Sequence, residues 1–161
     1  DPGLPKEKHM RWAALLRHQT PEEAVAILRQ LKLDNDTISK AKILVQWWKR
    51  PIGADQTQIR KTMSQMVPEL YDDLLVLKAS VGEMELQAEE CVEDLDWVKA
   101  QSGEIRQRGD CVSLKELAVT GADLIQAGMK PGKELGETLK RLLELVLEHP
   151  EWNTKEILKK V

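Results

Sequence analysis

Lys130-Pro131-Gly132-Lys133-Glu134-Leu135-Gly136-Glu137-Thr138-Leu139-Lys140-Arg141-Leu142-Leu143-Glu144-Leu145-Val146-Leu147-Glu148 is the stretch whose reading settles the fold class. Leu135, Leu139, Leu142, Leu143, Val146 and Leu147 return at intervals of three and four, the period of one helical face, and charged residues fill the positions between them. Pro131-Gly132 opens this helix, because proline removes a donor that a first helical turn leaves unpaired anyway. The preceding Gly128 suits a helix terminus.

Upstream, the same grammar repeats. Leu4-Pro5 opens a first helix with Trp12, Leu15 and Leu16 on its apolar side. Thr20-Pro21-Glu22-Glu23 is a start signal: Thr20 caps, Pro21 takes the first helical position and Glu23 returns the capping bond. Ala24, Ile27, Leu28 and Leu31 follow at helical spacing. Asp34 or Asp36 starts the next helix, with Ile38, Ala41, Val45 and Trp48 as its stripe and Pro51 and Gly53 at its end. Asp55 to Gln58 opens another, with Ile59, Met63 and Met66 on one side. Pro68 restarts the chain into Leu70, Leu74 and Leu77, flanked by Tyr71 and Leu75, until Val81-Gly82 breaks the run. Residues 83–108 read as a long acidic helix with Ala88, Cys91, Leu95, Val98 and Ile105 inside. Ser113 to Glu116 and Thr120 to Asp123 are capping boxes on short helices, and Asn153 to Glu156 starts a last one. No segment has the alternation of a strand. The fold is expected to be all-α, an irregular bundle of about eight or nine helices, with a change of texture near residues 109–113.

Composition agrees. Phe is absent and Tyr occurs once, while 32% of residues are charged with both signs mixed, which suits solvated helical faces. The net charge of −3 argues weakly against a polyanionic partner. The acidity is local, however: residues 83–110 hold 3 Lys and Arg against 9 Asp and Glu, whereas residues 1–82 hold 13 against 10. Cys91 and Cys111 have no metal-type spacing, which reads as a reduced, cytoplasmic setting. No apolar run approaches the ~18 residues of a membrane span, so no membrane partner is expected. The start at Asp1, without Met, reads as that of a fragment.

Few residues carry catalytic chemistry. There is no Gly-Ser pair ahead of clustered carboxylates, the arrangement that holds two metals for nucleotidyl transfer; Asp34 and Asp36 have carboxylate spacing but read as helix-start residues. His9, His18 and His149 do not cluster with ligands, so no metal site is expected. Cys91, on an acidic helix, reads as a core cysteine rather than a nucleophile. Trp47 and Trp48 point about 100° apart on a helix; they offer either a stacking surface for bases or, more commonly, a widened buried stripe. The Lys130–Arg141 segment is more informative. Gly132 and its successors present backbone N–H groups at a helix start, Lys130 and Lys133 flank it, and Lys140 lies on the Lys133 face. Together they make a candidate phosphate cradle. The alternative is a capped helix with ordinary surface lysines and a Glu137–Arg141 pair.

The run from Cys111 through Ser113-Leu114-Lys115-Glu116-Leu117 to Thr120-Gly121-Ala122-Asp123-Leu124-Ile125 resembles the tail of bacterial CCA-adding tRNA nucleotidyltransferases. The likeness continues through Gly128-Met129-Lys130-Pro131-Gly132, Gly136, Leu142 to Glu148 and Asn153-Thr154-Lys155-Glu156. Arg11-Trp12-Ala13-Ala14-Leu15-Leu16, Leu31 to Ile38 and Pro68 to Leu75 resemble the helical region that follows the catalytic head in that family. There the first run leads into a His-Asp pair of a metal-dependent phosphohydrolase-type domain; here Arg17-His18 stands instead, and the metal ligands are missing.

The resemblance implies a division into a helical body, residues 1–108, and a tRNA-binding tail, residues 109–161. It implies that the chain itself is not catalytic and that it positions the 3′ end of a tRNA for a head domain absent from these residues. Thr120 and Gly121 then join Lys130, Gly132, Lys133 and Lys140 as expected contacts to RNA backbone. Mg²⁺ and CTP or ATP belong to the head alone, and this chain is expected to hold no cofactor. Two other readings compete: a helical protein-interaction or homodimerisation module built on the acidic segment, and a remnant metal-dependent phosphohydrolase.

Overall fold

A computed structural model describes residues 7–84 and 93–160, the side chains of Glu83 and Met84 excepted. The expected stripe residues Ala88 and Cys91 lie outside the described residues. Nine α-helices form among those described: α1 (Lys8–Leu15), α2 (Pro21–Gln30), α3 (Asn35–Trp47), α4 (Gln56–Met63), α5 (Pro68–Met84), α6 (Leu95–Arg108), α7 (Gly121–Gln126), α8 (Lys133–Glu148) and α9 (Lys155–Lys159). Two 3₁₀ turns, Leu114–Glu116 and Pro150–Trp152, join them, and no strand occurs among the described residues. The fold is all-α.

The helix starts follow from capping residues. Thr20 Oγ1 accepts the Glu23 N–H at 3.1 Å, with Pro21 at the first helical position. Asp34 accepts the Thr37 N–H at 3.0 Å and Asp55 accepts the Gln58 N–H at 2.8 Å. Thr154 accepts the Ile157 N–H at 3.2 Å. Each satisfies one donor that the first turn would otherwise leave without a partner. The Asp34 carboxylate is held well below the ordinary carboxylate range, chiefly by the Lys8 ammonium at 2.8 Å and then by the Thr37 hydroxyl and amide.

The chain forms two compact units. The first comprises Asp1–Ile52 and Met66–Lys99, the second Gly53–Gln65 and Ala100–Val161. Residues 109–113, where the sequence changes texture, lie inside the second.

In the first unit α3 packs against α1, α2 and α5. Ala13, Ala14, Ala24, Leu28, Ala41, Leu44, Leu70, Tyr71, Leu74, Leu77 and Val98 are among its fully buried side chains. The inward face of α1 matches expectation in part: Leu16, its C-cap, is buried and Trp12 is half-buried. Leu15 is 69% exposed, and His9, Met10, Ala13 and Ala14 face inward instead. Ala13 and Ala14 lack bulk, and so does Ala41 on the facing helix α3, so a close approach of backbones wins over burial of the larger Leu15. His9 Nε2 lies 2.7 Å from Asp73 Oδ2, which gives this buried ring a polar partner on α5. The expected break at Val81-Gly82 does not occur: α5 runs to Met84, with Val81 buried. A glycine inside a helix costs only about 1 kcal/mol relative to Ala, less than the packing of its neighbours supplies.

Two side chains close loops in this unit. Lys78 donates to the carbonyls of Trp48 (3.1 Å) and Arg50, at the C-terminal end of α3. Burial lowers its pKa, and the Glu93 carboxylate opposes that shift. Glu93 itself accepts the Ile52 N–H at 2.7 and 2.9 Å.

In the second unit α8 is the spine, with α4, α7 and both 3₁₀ turns packed along it. Cys111, Leu117, Val119, Leu142, Val146 and Leu158 form the core, flanked by Leu124, Leu139 and Leu143. Arg60 of α4 enters this unit as a buried cation. Its Nε donates to the Leu147 carbonyl at 2.7 Å, Nη2 to Thr57 Oγ1 at 3.1 Å, and Nη1 lies 3.4 Å from Asp110 Oδ2. Ser113 does not cap as expected: its hydroxyl bonds the Glu116 carboxylate at 3.0 Å, and only a 3₁₀ turn forms. Asn153 ties the same segment down, accepting the Ala118 N–H at 2.7 Å and donating to the Glu116 carbonyl at 3.0 Å.

Candidate nucleic-acid interface

Lys130, Gly132, Lys133 and Lys140 are all exposed, on and just before the N-terminal half of α8. Gly132 is the N-cap, and its φ of 143° and ψ of −160° belong to a region essentially reserved for glycine. Gly128, with φ 108°, ends the preceding helix. The chain thus enters α8 through two glycine-dependent turns, and no side chain caps the helix start. Within the helix, Gly136 donates to the Gly132 carbonyl at 3.4 Å. The amides of Lys133, Glu134 and Leu135 meet no acceptor among the described residues. Three outward N–H groups and the positive end of the helix dipole therefore face solvent together.

The cations around this end are not engaged elsewhere. Lys130, Lys133, Lys140 and Arg141 form no ion pair among the described residues, so the alternative Glu137–Arg141 pair is absent. Glu134 and Glu137 lie among them, and Glu137 falls between Lys133 and Lys140 on the same face. With Glu144 one turn beyond Lys140 and Arg141, four cations face three acids over residues 130–144, a small local excess of positive charge.

Thr120 and Gly121 sit differently. Thr120 caps α7 in a full capping box: its Oγ1 accepts the Asp123 N–H at 3.2 Å, while its own N–H and hydroxyl both donate to Asp123 Oδ2, at 2.9 and 3.0 Å. These bonds lower the Asp123 pKa, the Thr120 amide and hydroxyl first and Lys155, 3.6 Å away, after them. The start of α7 already holds its own carboxylate, and Thr120 has no spare donor for an outside anion. The Thr-x-x-Asp spacing carried that signal. Gly121 lies against α8: a Cβ there would stand 3.5 Å from Leu135 Cδ2 and 3.9 Å from Leu139 Cδ1. The structure thus brings the Thr120–Gly121 turn beside the first two turns of α8. Lys130, Gly132, Lys133 and Lys140 are exposed, and the Gly121 amide meets no acceptor among the described residues.

The second unit also contains charges that periodicity did not single out. Arg60 and Asp110 are nearly inaccessible and bond each other, and Arg108 completes the cluster with Nη2 2.8 Å from Asp110 Oδ2. They bind the unit together rather than face a ligand. No group of three or more His, Cys, Asp and Glu side chains with the geometry to hold a metal forms among the described residues. No helix among them is long and apolar enough to cross a membrane.

No curated protein and no solved structure matches the chain. A family model does, the one described as tRNA nucleotidyltransferase domain 2, and the match runs over residues 5–161. With nearly its whole length inside that match, the chain belongs to the tRNA nucleotidyltransferase domain 2 family.

Proposed function

We propose that this chain is the tRNA-engaging helical part of a CCA-adding tRNA nucleotidyltransferase, positioning the 3′ end of the tRNA for a catalytic head. The observation that carries the reading is the uncapped, exposed start of α8, with free amides at Lys133 to Leu135 and unpaired Lys130, Lys133 and Lys140 around it. A helix start of this kind attracts phosphate through aligned N–H groups and the dipole, and lysines add charge without demanding a base sequence. Recognition of backbone and shape suits a protein that accepts many tRNAs. Residues 109–161 supply these contacts, with Gly121 contributing its backbone amide and Thr120, whose donors serve Asp123, holding the turn beside α8. Mg²⁺ and the nucleoside triphosphates are held by the head, whose residues also select the nucleotide added. The setting is cytoplasmic, where tRNA is processed.

The test is titration of the 161-residue chain with tRNA at several salt concentrations, wild type against the double variant Lys130→Glu, Lys133→Glu. The variant is expected to bind at least about tenfold more weakly, with a slope of log K against log salt shallower by roughly 1 to 2. Unchanged affinity and slope in a folded variant would refute the contact.

A further inference from the structure

The outward face of α8 carries more than cations. Lys133, Glu134, Glu137, Lys140, Arg141 and Glu144 are exposed and form no ion pair among the described residues. Glu148, the remaining charge of the helix, lies against Lys61. The signs are ordered in a way that a phosphate strand does not require. Lys133, Glu137, Lys140 and Glu144 follow one another at steps of four, three and four. They form one line along the helix, opposite Leu142 and Val146 in the core, and their charges alternate. Neighbours in the line do not neutralise each other. Lys133 with Glu137, and Lys140 with Glu144, place the cation four residues before the acid, which is the weaker order for a pair within one helix.

Turned end for end, the line matches itself. A two-fold axis between Thr138 and Leu139 sets Lys133 against Glu144 of a second copy, and Glu137 against Lys140 of that copy. The same axis brings Glu134 beside Arg141 of the second copy, because both lie on one flank of the line. On the other flank Gly136 leaves a gap, since a Cβ there would meet nothing within 4 Å. The half-buried Leu143 of the second copy comes to that gap. All six charges then face opposite ones. A parallel alignment would instead oppose each residue to its own copy, like sign to like sign. From Lys133 to Glu144 the line spans about 16 Å. That is short for a permanent dimer, and its centre is charged rather than apolar, so such a contact exchanges readily and dissolves in salt.

We infer that two copies of this chain associate weakly through antiparallel α8 helices, and that a chain so paired cannot offer Lys133, Lys140 and Arg141 to RNA. The second clause rests on the tRNA-binding reading above; the first stands without it. Self-association is then a concentration- and salt-dependent restraint on the RNA site.

Sedimentation velocity of the full chain, without RNA, tests the first clause at roughly 0.02–1 mM chain and from low salt to about 0.5 M. The average mass is expected to rise with concentration at low salt and to return to that of one chain at high salt. A chain that stays monomeric throughout overturns the inference. Lys133→Glu with Lys140→Glu makes the line wholly acidic, and Glu137→Lys with Glu144→Lys makes it wholly basic. Each variant alone is expected to associate more than about tenfold more weakly than wild type, and their equimolar mixture at least as tightly. Self-association that persists in the acidic variant overturns the placement. Lys159→Glu with Lys160→Glu makes the same charge change on exposed residues elsewhere and is expected to leave the association in place. An equal loss there would mean that net charge alone acts, and the placement would fall. Glu137→Gln with Glu144→Gln separates the two clauses, because it removes the partners and no cation. It is expected to lose self-association and to bind tRNA as well as wild type does when dilute, and better when concentrated. A wild-type chain that self-associates but binds no tRNA leaves the dimer standing and refutes the RNA reading. Dimers that bind tRNA without dissociating overturn the second clause.

Discussion

Replacing Arg60 by Met is expected to be among the most damaging single changes to the second unit. The guanidinium makes three separate bonds from one side chain, to the Leu147 carbonyl, to Thr57 and to Asp110. Leu147 is in the last turn of α8, where carbonyls have no helical partner, so Arg60 supplies the bond that the helix cannot make for itself. Its side chain is 6% exposed and that of Asp110 8%, and water does not readily replace what is lost. Removing one member of a buried pair costs about 3–5 kcal/mol when the other charge is stranded. Asp110 is not wholly stranded, because Arg108 remains 2.8 Å from it. That lowers the electrostatic part and leaves the unsatisfied carbonyl, about 1–3 kcal/mol. A net loss of about 3 kcal/mol follows, or roughly 6–12 °C in Tm for a chain of this size. Thermal and urea unfolding followed by circular dichroism measure it. Lys61→Met is the internal comparison: its neighbouring pair with Glu148 spans the same two helices at 2.9 Å, but both side chains are about half exposed. Such a pair contributes about 0–1 kcal/mol. If the two variants lost equal stability, burial would not be what gives Arg60 its weight, and the argument would be wrong.

Gly132→Ala is expected to cost about 1–3 kcal/mol, since its φ of 143° is strained for any residue with a Cβ. Gly136→Ala, inside α8 with open space around the added methyl, is expected to stabilise by about 0.5–1 kcal/mol; chemical denaturation of the pair checks the contrast. Acid should weaken the fold through Asp34 and Asp123. Both pKa values are depressed in the folded chain, so the stability they contribute is complete above their unfolded value of 3.8 and is lost as pH falls through the lower folded values. The Asp34→Asn, Asp123→Asn chain is therefore expected to show a flatter fall in Tm between about pH 5 and pH 2; parallel curves would show that these caps do not set the acid limb.

What the sequence discloses and what it hides divide along the range of the interaction. The starts of α2, α3, α4 and α9 are written in Thr20, Asp34, Asp55 and Thr154, because a cap acts over three residues and needs nothing distant. The buried stripe of α3 was readable for the same reason, Ile38, Ala41, Val45 and Trp48 repeating at helical period. The exposure of Leu15 on α1 was not, because it depends on how closely Ala13 and Ala14 let another helix approach. Nor was the burial of Arg60: beside Ile59 it reads as the polar flank of a stripe, and its partners at Asp110 and Leu147 are far away in the chain. At the candidate interface, the exposure of Lys130, Lys133 and Lys140 followed from the pattern of α8, and the Thr-x-x-Asp spacing already implied that Thr120 serves Asp123.

Net charge is a poor guide to what such a helical protein attracts, because it counts every cation alike. Here Lys78 and Arg60 are committed to the carbonyl ends of α3 and α8, and Lys8, Lys40, Lys61 and Arg108 lie against carboxylates. Those charges hold the fold and project little field outward, since each is matched locally. Lys42 on α3, Lys49 and Arg50 just after it, Lys130 before α8, and Lys133, Lys140 and Arg141 on α8 have no such match among the described residues. An approaching polyanion responds to local unbalanced charge within about a Debye length, ~8 Å at physiological salt, and not to the sum over the chain. An overall charge of −3 is for that reason compatible with RNA affinity, and any such affinity resting on these unmatched cations is expected to be steeply sensitive to salt.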